Sequence, residues 1–452
     1  MITTPNIKNQ EIKKIEPNQG SDSMREDWIE CTLDKLIDDD GLFKDGDWVE
    51  KKDQDPNGQV RLIQLADIGD GNFRDKSSKY LNLKRAKEMN CSFLMQGDIL
   101  IARMPEPLGR CTFFPFDEEE KFITAVDVAI LRPKNKSIYN SFLLHQINSP
   151  SIRNKIDKLK SGTTRKRISR KNLNKINFSF PSLVEQKAIV KKIEELFSSL
   201  DSGIADLKKA QDQLVIYRQA VLKKAFEGEW KSTTVGELFD FVGGGTPSKR
   251  EKEYWNGNIP WASVKDIKGD YLLKTQDFIT EKGLNNSSAN IALKGEIILI
   301  TRISPGKSLI TTIDTAVNQD LKVVKPKVEM YNKYIHYLFK SIERVCIKLS
   351  SGTTVKGINL PNLKSIEIPI IEPVEQHQIV QEIESRLSVC DKVEKDIADS
   401  LEKAQALRQS ILKKAFEGTL LSAAEIKECK EHKEYEPASV LLERIREEKK
   451  KK

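Results

Sequence analysis

The chain contains a long internal repeat, and this repeat constrains the fold more than any other feature of the sequence. Residues 161–230 align with residues 351–420 without a gap, and roughly 28 of the 70 aligned positions are identical. The best-preserved segments are SGTT, VEQ and LKKAFEG. A repeat of this length predicts that one structural unit is built twice in the chain.

Each copy contains a long segment whose apolar or small residues recur at alternating spacings of four and three, the pattern of a heptad seam. In the first copy these positions are Ile189, Ile193, Leu196, Leu200, Gly203, Leu207, Ala210, Leu214, Tyr217 and Val221. In the second they are Ile379, Ile383, Arg386, Cys390, Val393, Ile397, Ser400, Ala404, Leu407 and Ile411. A helix over residues 184–226 would be roughly 65 Å long. Glycines at 228 and 418 favour helix ends there.

A helix of this length cannot bury its apolar stripe alone, so we expect the two helices to pack on each other. If a folded domain precedes each helix, a two-fold arrangement of the repeats makes them an antiparallel coiled coil with one domain at each end.

The segments before the helices predict two globular domains of mixed α/β (α+β) class. β-Branched residues between glycine, asparagine and proline indicate strands, most clearly in KFITAVDVAILRP at 121–133. Three short matches link the domains: VRLIQLADI with IPWASVKDI, QGDILIAR with KGEIILITR, and AVDVAILRP with AVNQDLKVVKP. The predicted division is a polar, disordered leader at 1–23, globular domains at 24–160 and 230–350, helical regions at 161–229 and 351–419, and a helical tail at 420–452.

The composition favours a cytoplasmic globular protein. No run approaches the ~20 apolar residues of a membrane span, and the polar first 20 residues lack the apolar stretch of a signal peptide. The six cysteines include no C-x-x-C pair, and the four histidines show no metal-ligand spacing. We therefore predict neither a disulfide framework nor a metal site.

Catalytic patterns in the sequence are incomplete. FDFVGGG at 239–245 contains F-x-G-x-G, which can hold S-adenosylmethionine, but an amino-methyltransferase also needs an (N/D/S)-P-P-(Y/F) segment, which is missing. PFDEEEKF at 115–122 places its acids too close together for a typical nuclease site, and GGGTPSK lacks the spacing of a P-loop. We interpret these segments as a glycine loop opening a strand, a charged loop and a binding loop, and we predict no catalytic centre.

Features that suit nucleic acid are stronger. Ten basic residues and one acid lie between Arg153 and Lys175, which favours an anionic partner over a merely solvated face. GGGTPSKREKEYWNGNIPW at 243–261 combines flexible glycines, cations and aromatic rings. Trp255 and Trp261 fit either core anchors or base contacts, the former slightly better. The SGTT segments fit a phosphate clamp or a simple turn equally well.

Two unlike domains, each followed by SGTT and a long helix ending in KKAFEG, together with GGGTPSK…YW.G.IPW, resemble the specificity subunit of type I restriction–modification systems. The resemblance covers residues 24–452 and includes EPASVLLERIREEK at 436–449, which is similar to that family's C-terminal helix; residues 1–23 are an extra leader. It implies two target-recognition domains that read the halves of an asymmetric, split double-stranded DNA site, and two helices that form the spacer.

The resemblance also implies partners. Two methyltransferase subunits would bring S-adenosylmethionine and adenine methylation, and two motor-nuclease subunits would bring ATP and Mg²⁺, while this chain binds no cofactor. The predicted DNA contacts are Arg103, Arg110, Arg165, Lys166, Arg167, Arg170, Thr246, Lys249, Lys265, Arg302, Lys307 and Lys356. Two other interpretations are a structural coiled-coil adaptor without DNA readout and a self-contained methyltransferase.

Overall fold

The structure is a computed structural model that describes residues 25, 27–37, 41–133, 138–352, 355–440 and 443. The predicted leader, Thr353 and Thr354 of the second SGTT segment, and most of 436–449 lie outside these residues. The chain divides into two compact units: unit 1 is Met1–Ile204 with Leu401–Lys452, and unit 2 is Ala205–Ser400. We call residues 25–180 of unit 1 head 1 and residues 230–370 of unit 2 head 2. Each unit combines one head with parts of both long helices, so the predicted domain boundaries stay a prediction.

Head 1 contains a four-stranded sheet of order β2-β8-β5-β6, a three-stranded sheet of order β4-β3-β7, and the pair β1-β9. Its strands are β1 Ile29–Thr32, β2 Leu42–Asp45, β3 Val60–Ile63, β4 Tyr80–Leu81, β5 Ile99–Ala102, β6 Cys111–Phe113, β7 Phe122–Thr124, β8 Val128–Arg132 and β9 Asn177–Phe180. Its helices are α1 Leu33–Leu36, α2 Leu83–Glu88, α3 Asn140–Ile147, α4 Pro150–Lys158 and α5 Arg170–Leu173, and α6 follows at Leu183–Ala225.

The four-stranded sheet of head 1 is covered on both faces. Alternate side chains of a strand point to opposite faces, and in β5 they enter two different cores. Ile99 and Ile101 join the core that includes α3 and α4. Leu100 and Ala102 join a second core that contains a cluster of phenylalanines. This double burial explains why the strand is an uninterrupted apolar run in the sequence.

Head 2 contains a five-stranded sheet of order β11-β19-β16-β17-β13, a four-stranded sheet of order β14-β12-β18-β15, and the pair β10-β20. Its strands are β10 Lys231–Thr234, β11 Phe239–Gly243, β12 Trp255–Ala262, β13 Tyr271–Leu272, β14 Asp277–Ile279, β15 Asn290–Ala292, β16 Ile297–Ile300, β17 Ser308–Thr311, β18 Thr315–Val317, β19 Leu321–Pro326 and β20 Glu367–Ile370. Its helices are α7 Val235–Leu238, α8 Glu281–Asn285, α9 Asn332–Lys348 and α10 Leu360–Lys364; α11 Pro373–Phe416 follows, and α12 Ala423–Glu431 belongs to unit 1.

The two heads share one framework. The order β2-β8-β5-β6 in head 1 corresponds to β11-β19-β16-β17 in head 2, and β4-β3-β7 corresponds to β14-β12-β18. In head 2 the same alternation places Ile297 and Leu299 against α9, and Ile298 and Ile300 in a separate core. The three short sequence matches between the heads fall on these corresponding strands, so the prediction of mixed domains with related strands is confirmed.

The two long helices are antiparallel where they meet within each unit. In unit 1, Arg408 of α11 forms an ion pair with Asp201 of α6. In unit 2, Arg218 of α6 lies 2.6 Å from Asp391 and 2.8 Å from Glu394 of α11. Residue numbers rise along one helix as they fall along the other, as predicted. The helix bounds also match the predicted segments to within a few residues.

The buried stripe of the helices is narrower than predicted. Burial recurs once per heptad in α11, at Ile383, Cys390, Ile397, Ala404 and Ile411. In α6, Ile193 and Val221 are buried at the corresponding spacing. Several alternate positions of the predicted seam are exposed, among them Gly203, Tyr217, Arg386, Val393 and Leu407. Glycine and arginine cannot fill the holes of a coiled-coil seam, so burial does not continue along the row of Gly203 and Arg386.

The carboxyl end of each long helix lies beside a tryptophan that precedes the first strand of a head. The end of α6 meets head 2, and the end of α11 meets head 1. In unit 2, the chain passes from Gly228 to Trp230 and then into β10, and a Cβ on Gly228 would lie 2.4 Å from the Trp230 indole nitrogen. In unit 1, Gly418 has a φ of +72°, and a Cβ there would lie 3.6 Å from the Trp28 ring. Trp28 precedes β1 as Trp230 precedes β10, so it occupies the same place although it comes from a distant part of the chain.

No helix in the described part of the chain is both long and apolar enough to cross a membrane.

Candidate nucleic-acid interface

One edge of the main sheet in head 1 collects most of the predicted contact residues. Because the strands are antiparallel, the ends of β2 and β5 and the starts of β6 and β8 lie at the same edge. We call the loops at this edge, residues 46–50, 103–110 and 125–127, together with the turn at 161–167, the strand-end surface of head 1. The corresponding residues of head 2 are 244–250, 301–307, 318–320 and 351–357.

The SGTT segment of head 1 forms a closed turn on this surface. The backbone amides of Ser161 and Arg167 donate to each other's carbonyls, both at 2.9 Å. Gly162 has a φ of +96°, and a Cβ there would lie 2.5 Å from the Arg165 carbonyl oxygen, so the turn requires glycine. The turn is fixed to the sheet because the Ile168 amide donates to the Arg103 carbonyl at 3.0 Å. This architecture favours a built loop over an incidental turn.

The turn presents cations to solvent. Arg165, Lys166 and Arg167 are exposed. The ammonium groups of Lys160 and Lys166 each lie 3.3 Å from the Glu106 carboxylate on the neighbouring hairpin loop. Hydrogen bonds from these lysines lower the pKa of Glu106. Glu106 is one acid beside Arg165, Lys166 and Arg167, so the turn keeps a positive charge, which suits a phosphate backbone.

Three other predicted contacts in head 1 are partly engaged within the fold. The buried Arg110 donates to the carbonyls of Ile68 at 2.9 Å and Leu65 at 3.2 Å, and burial lowers its pKa. Arg103 donates to the Val126 carbonyl and lies 3.3 Å from Asp45. The exposed Arg170 donates to a backbone carbonyl of β2 at 2.7 Å. Arg103 and Arg110 therefore shape the loops, while Arg170 also borders the open surface.

Head 2 repeats this arrangement with fewer cations on its turn. Ser351 and Gly357 exchange backbone hydrogen bonds of 2.9 Å, and Gly352 has a φ of +115°. The turn is fixed to the hairpin loop because the Ile303 amide donates to the Lys356 carbonyl at 2.9 Å. Arg302 lies 3.2 Å from Asp320, and Lys356 is exposed. The structure thus brings Arg302 and Lys356 together, as the repeat of the SGTT segment implies.

The remaining predicted contacts of head 2 lie around the same edge. Thr246 and Lys249 are exposed in the loop after β11, and Lys307 lies partly buried at the start of β17. Lys265 follows the end of β12, where it lies 2.6 Å from Asp277. All predicted contacts of head 2 therefore fall at or beside the strand-end surface.

The aromatic residues of GGGTPSKREKEYWNGNIPW support this loop. Trp261 is buried, and its indole nitrogen donates to the Gly245 carbonyl at 3.0 Å. Trp255 donates to the Ser248 carbonyl at 3.2 Å and packs edge-on against Trp261. Their role as anchors, the interpretation that the sequence slightly favoured, is the one that these contacts support.

Sequence reasoning passed over Trp48, which lies on the strand-end surface of head 1. Its side chain is 67% exposed, and the other four tryptophans, all in the described residues, are buried or half-buried. The segment GDWVEKK lacks the glycine-rich pattern that drew attention to the loop of head 2. The only sequence signal was the weak match of the strands around it.

A serine, a histidine and an aspartate meet in head 2 but serve the fold. Ser308 Oγ lies 3.1 Å from His336 Nδ1, and His336 Nε2 lies 3.7 Å from Asp270. Ser308 is only 1% exposed and also donates to the His336 carbonyl at 3.1 Å, so a substrate cannot reach it. Burial alone would raise the pKa of Asp270, but the adjacent His336 ring and two hydrogen bonds from the Lys340 ammonium hold this pKa well below its usual range. Within the described residues, no three His, Cys, Asp or Glu side chains are placed to hold a metal ion.

Comparison with known sequences now identifies the family. The model of the type I restriction modification DNA specificity domain matches the chain twice, at residues 26–209 and 227–403. The chain belongs to this family, as its repeat and SGTT segments predicted.

Individual relatives align over different lengths. The specificity subunit of the type I restriction enzyme EcoR124I/EcoR124II of Escherichia coli is 31% identical over 50% of this chain and 57% of that protein. The MjaIX specificity subunit of Methanocaldococcus jannaschii is 33% identical over 33% of this chain and 36% of that protein. The chain thus spans about half the length of these relatives or less. The EcoBI specificity subunit of E. coli is 24% identical over 90% of this chain and 89% of that protein.

Solved structures share the fold. A chain from a study of complex assembly and conformational transition of the type I R-M system aligns with a TM-score of 0.67 and 18% identity, over 88% of this chain and 100% of that one. The HsdS subunit from Thermoanaerobacter tengcongensis aligns with a TM-score of 0.55 and 18% identity, over 88% of this chain and 98% of that one. These likenesses confirm the predicted fold class.

Proposed function

We propose that this chain is the DNA-reading subunit of a type I restriction–modification assembly and that its two heads read the two halves of an asymmetric, bipartite site. The specificity family to which the chain belongs serves DNA sequence recognition and is non-catalytic in type I systems. The observation that carries the proposal is the repeated strand-end surface, a closed turn docked on a hairpin loop in each head.

The surface suits duplex DNA for a physical reason. Cations on an exposed turn bind phosphates without regard to sequence, while polar side chains on neighbouring loops reach base edges. In head 1 the cations are Arg165, Lys166, Arg167 and Arg170, and in head 2 they are Lys249, Lys265, Arg302, Lys307 and Lys356. Because the heads share a framework but differ in loop sequence, the half-sites they select should also differ.

The chemistry belongs to partners in this proposal. Two methyltransferase subunits dock on the repeated helical scaffold and supply S-adenosylmethionine and adenine methylation. Two motor-nuclease subunits join them and supply ATP-dependent cleavage with Mg²⁺. A scaffold built twice presents two equivalent docking surfaces to two copies of one partner, which explains why the helical repeat is better preserved than the heads.

The test combines the purified chain with a type I methyltransferase subunit from the same organism. The complex should methylate adenines only within one asymmetric, two-part sequence, as read by methylation mapping of genomic DNA. The chain alone should transfer no methyl groups. Methylation by the chain alone would favour a self-contained methyltransferase. A complex that forms but retains DNA without sequence preference would favour the structural adaptor.

A further inference from the structure

The strand-end surfaces of the two heads contain matching backbone hydrogen bonds. In head 1 the backbone amide of Arg103 donates to the backbone carbonyl of Asp127 at 2.9 Å. In head 2 the backbone amide of Thr301 donates to the backbone carbonyl of Asp320 at the same distance. The loops after β2 and β11 are held by a second matching pair of bonds. The Asp47 amide donates to the Thr124 backbone carbonyl at 2.8 Å, and the Gly245 amide donates to the Val317 backbone carbonyl at 2.9 Å. This register equates Trp48 with Thr246, and Val126 with Gln319.

At these two positions the heads differ in chemistry. In head 1, Asp47 pairs in parallel with Ala125, so Trp48 and Val126 follow side by side on the backbone. Both are apolar, and neither is buried. In head 2, Thr246 Oγ1 donates to Gln319 Oε1 at 2.5 Å, and both residues are exposed. The same two backbone positions therefore carry an apolar pair in head 1 and a hydrogen-bonding pair in head 2.

The packing of head 1 does not account for the exposure of Trp48. Its indole nitrogen donates at 3.3 Å to Glu50, whose carboxylate is itself exposed. Arg103 donates to the carbonyl of Val126, so a fixed cation lies beside the second member of the apolar pair. An exposed aromatic ring on the surface proposed to bind DNA is placed to contact bases or sugars.

We propose that these matched pairs determine which bases each head reads: Trp48 and Val126 contact a thymine methyl group, and Gln319, oriented by Thr246, hydrogen-bonds an adenine edge. Apolar side chains recognise the thymine methyl in the major groove, and glutamine pairs with adenine through two hydrogen bonds. This inference rests on the proposed function, because it assigns base-reading residues to the surface proposed there.

The experiment uses the full-length chain with its methyltransferase subunit and selects bound duplexes from a random pool. Trp48→Thr should reduce discrimination at one or two base pairs of one half-site by about tenfold or more. Gln319→Ala should do the same in the other half-site. Met95→Thr is the matched control, because Met95 is an exposed apolar residue of head 1, 55% exposed, that precedes β5 at the opposite edge of the sheet. It should change neither half-site.

The possible outcomes separate the two levels of the proposal. A wild-type complex that enriches no motif overturns the proposed function and this inference with it. A wild-type complex that enriches a two-part motif, with both variants enriching the same motif undiminished, overturns the inference alone. Loss of both half-sites in either variant, with a lowered melting temperature, also overturns it, because the residue would then support the fold. Retention of the motif by Trp48→Phe supports an apolar contact.

Discussion

The closed turn at residues 161–167 concentrates positive charge at the scale of single residues. Each arginine that contacts a phosphate releases condensed counterions on binding, so the logarithm of the binding constant falls with the logarithm of salt concentration. Replacing Arg165 and Arg167 with alanine should weaken binding to all duplexes and lower the salt slope by about 2. The methylated sequence should stay the same. Binding titrations at several salt concentrations measure this slope.

The control for this prediction removes two charges elsewhere. Lys208 and Lys209 are exposed on α6 and belong to neither strand-end surface, so their replacement by alanine should leave the slope unchanged. A changed methylation motif with an unaltered slope in the arginine variant would show that the turn reads bases instead of holding phosphates.

Glu425 makes a second residue-scale prediction because its pKa is lowered to about 2 from the ordinary 4.5. The cause is the Ser422 amide at 2.7 Å and hydroxyl at 2.8 Å, with Lys192 at 3.0 Å. A carboxylate with a lowered folded-state pKa stabilises the fold above its unfolded pKa, and that stability is lost as the pH falls. Solvent screens this partly exposed carboxylate, and glutamine can still accept from Ser422. Glu425→Gln should therefore lower the free energy of unfolding by at most about 1 kcal/mol at pH 6, and this deficit should shrink between pH 4.5 and about 2.

Denaturant unfolding of the wild type and the variant across this pH range measures the deficit. Glu428→Gln, at an exposed position of the same helix, should show none at any pH. A deficit for Glu425→Gln that stays constant down to pH 3 would contradict the assignment of the stabilisation to the ionised carboxylate.

The sequence predicted exposed cations well where basic residues are clustered. It predicted poorly which side chains are engaged within the fold, because that depends on tertiary contacts. The run of bases identified the exposed turn at Arg165–Arg167. It could not show that the donors of Arg110 are turned toward the carbonyls of Leu65 and Ile68, because this depends on how the loop folds over the sheet. Trp48 was passed over for the same reason, since its exposure is a property of the fold.

At the scale of elements, each long helix is tied to its own head by one buried glutamine. Gln186 accepts from the Tyr139 amide at 2.9 Å and donates to the Pro181 carbonyl at 3.0 Å. Gln376 accepts from the Tyr331 amide at 3.0 Å and donates to the Ile371 carbonyl at 2.9 Å. Both glutamines belong to the VEQ segments of the repeat, whose preservation is thereby explained.

Leucine at either glutamine would leave a buried amide and a buried carbonyl without these partners. Each such group costs about 1–3 kcal/mol, so Gln186→Leu and Gln376→Leu should each destabilise their own unit by about 2–6 kcal/mol. Gln378→Leu, at an exposed position of the same helix, is the control and should cost under ~0.5 kcal/mol. Denaturant unfolding followed by tryptophan fluorescence measures these changes, and equal stability of the Gln376 and Gln378 variants would contradict the prediction.

The sequence predicted the long helices from an apolar pattern that repeats over some 40 residues, but this pattern did not show which of its positions are buried. Heptad spacing over 40 residues predicted both helices, and the order of the repeats predicted their direction. Neither showed that burial in α11 recurs only once per heptad along the predicted seam. The row at Gly203, Arg386 and Leu407 obeys the same spacing, and only packing separates the two rows. Strand matches such as QGDILIAR with KGEIILITR located β5 and β16, since continuous apolar runs mark strands buried on both faces.

At the scale of the whole molecule, the repeat implies that one framework is used twice with different reading surfaces. The proposed bipartite site requires that something fix the number of base pairs between the half-sites. The candidates are the long helices, because α6 and α11 each contribute residues to both compact units. We therefore expect the length of these helices to set the length of the DNA spacer.

Lengthening both helices tests this directly. Asp201 pairs with Arg408, and Arg218 pairs with Asp391. In this register an insertion after Ile204 in α6 corresponds to an insertion after Ala404 in α11. Four residues add roughly 6 Å to each helix and turn the buried row by only about 40°, so the helices should remain paired. Because B-DNA rises about 3.4 Å per base pair, the spacer should grow by one or two base pairs while both half-sites stay unchanged.

Methylation mapping of the variant complex measures the spacer, and an insertion of four residues in α6 alone is the matched control. The single insertion breaks the register between the helices, so it should abolish methylation or lower it sharply. The double insertion should restore methylation at the longer site, because it keeps the ion pairs on each side of the inserted turns in step. Methylation by the double variant at the original spacer would show that the helices do not determine the spacing and that the distance between half-sites is fixed by the partner subunits instead.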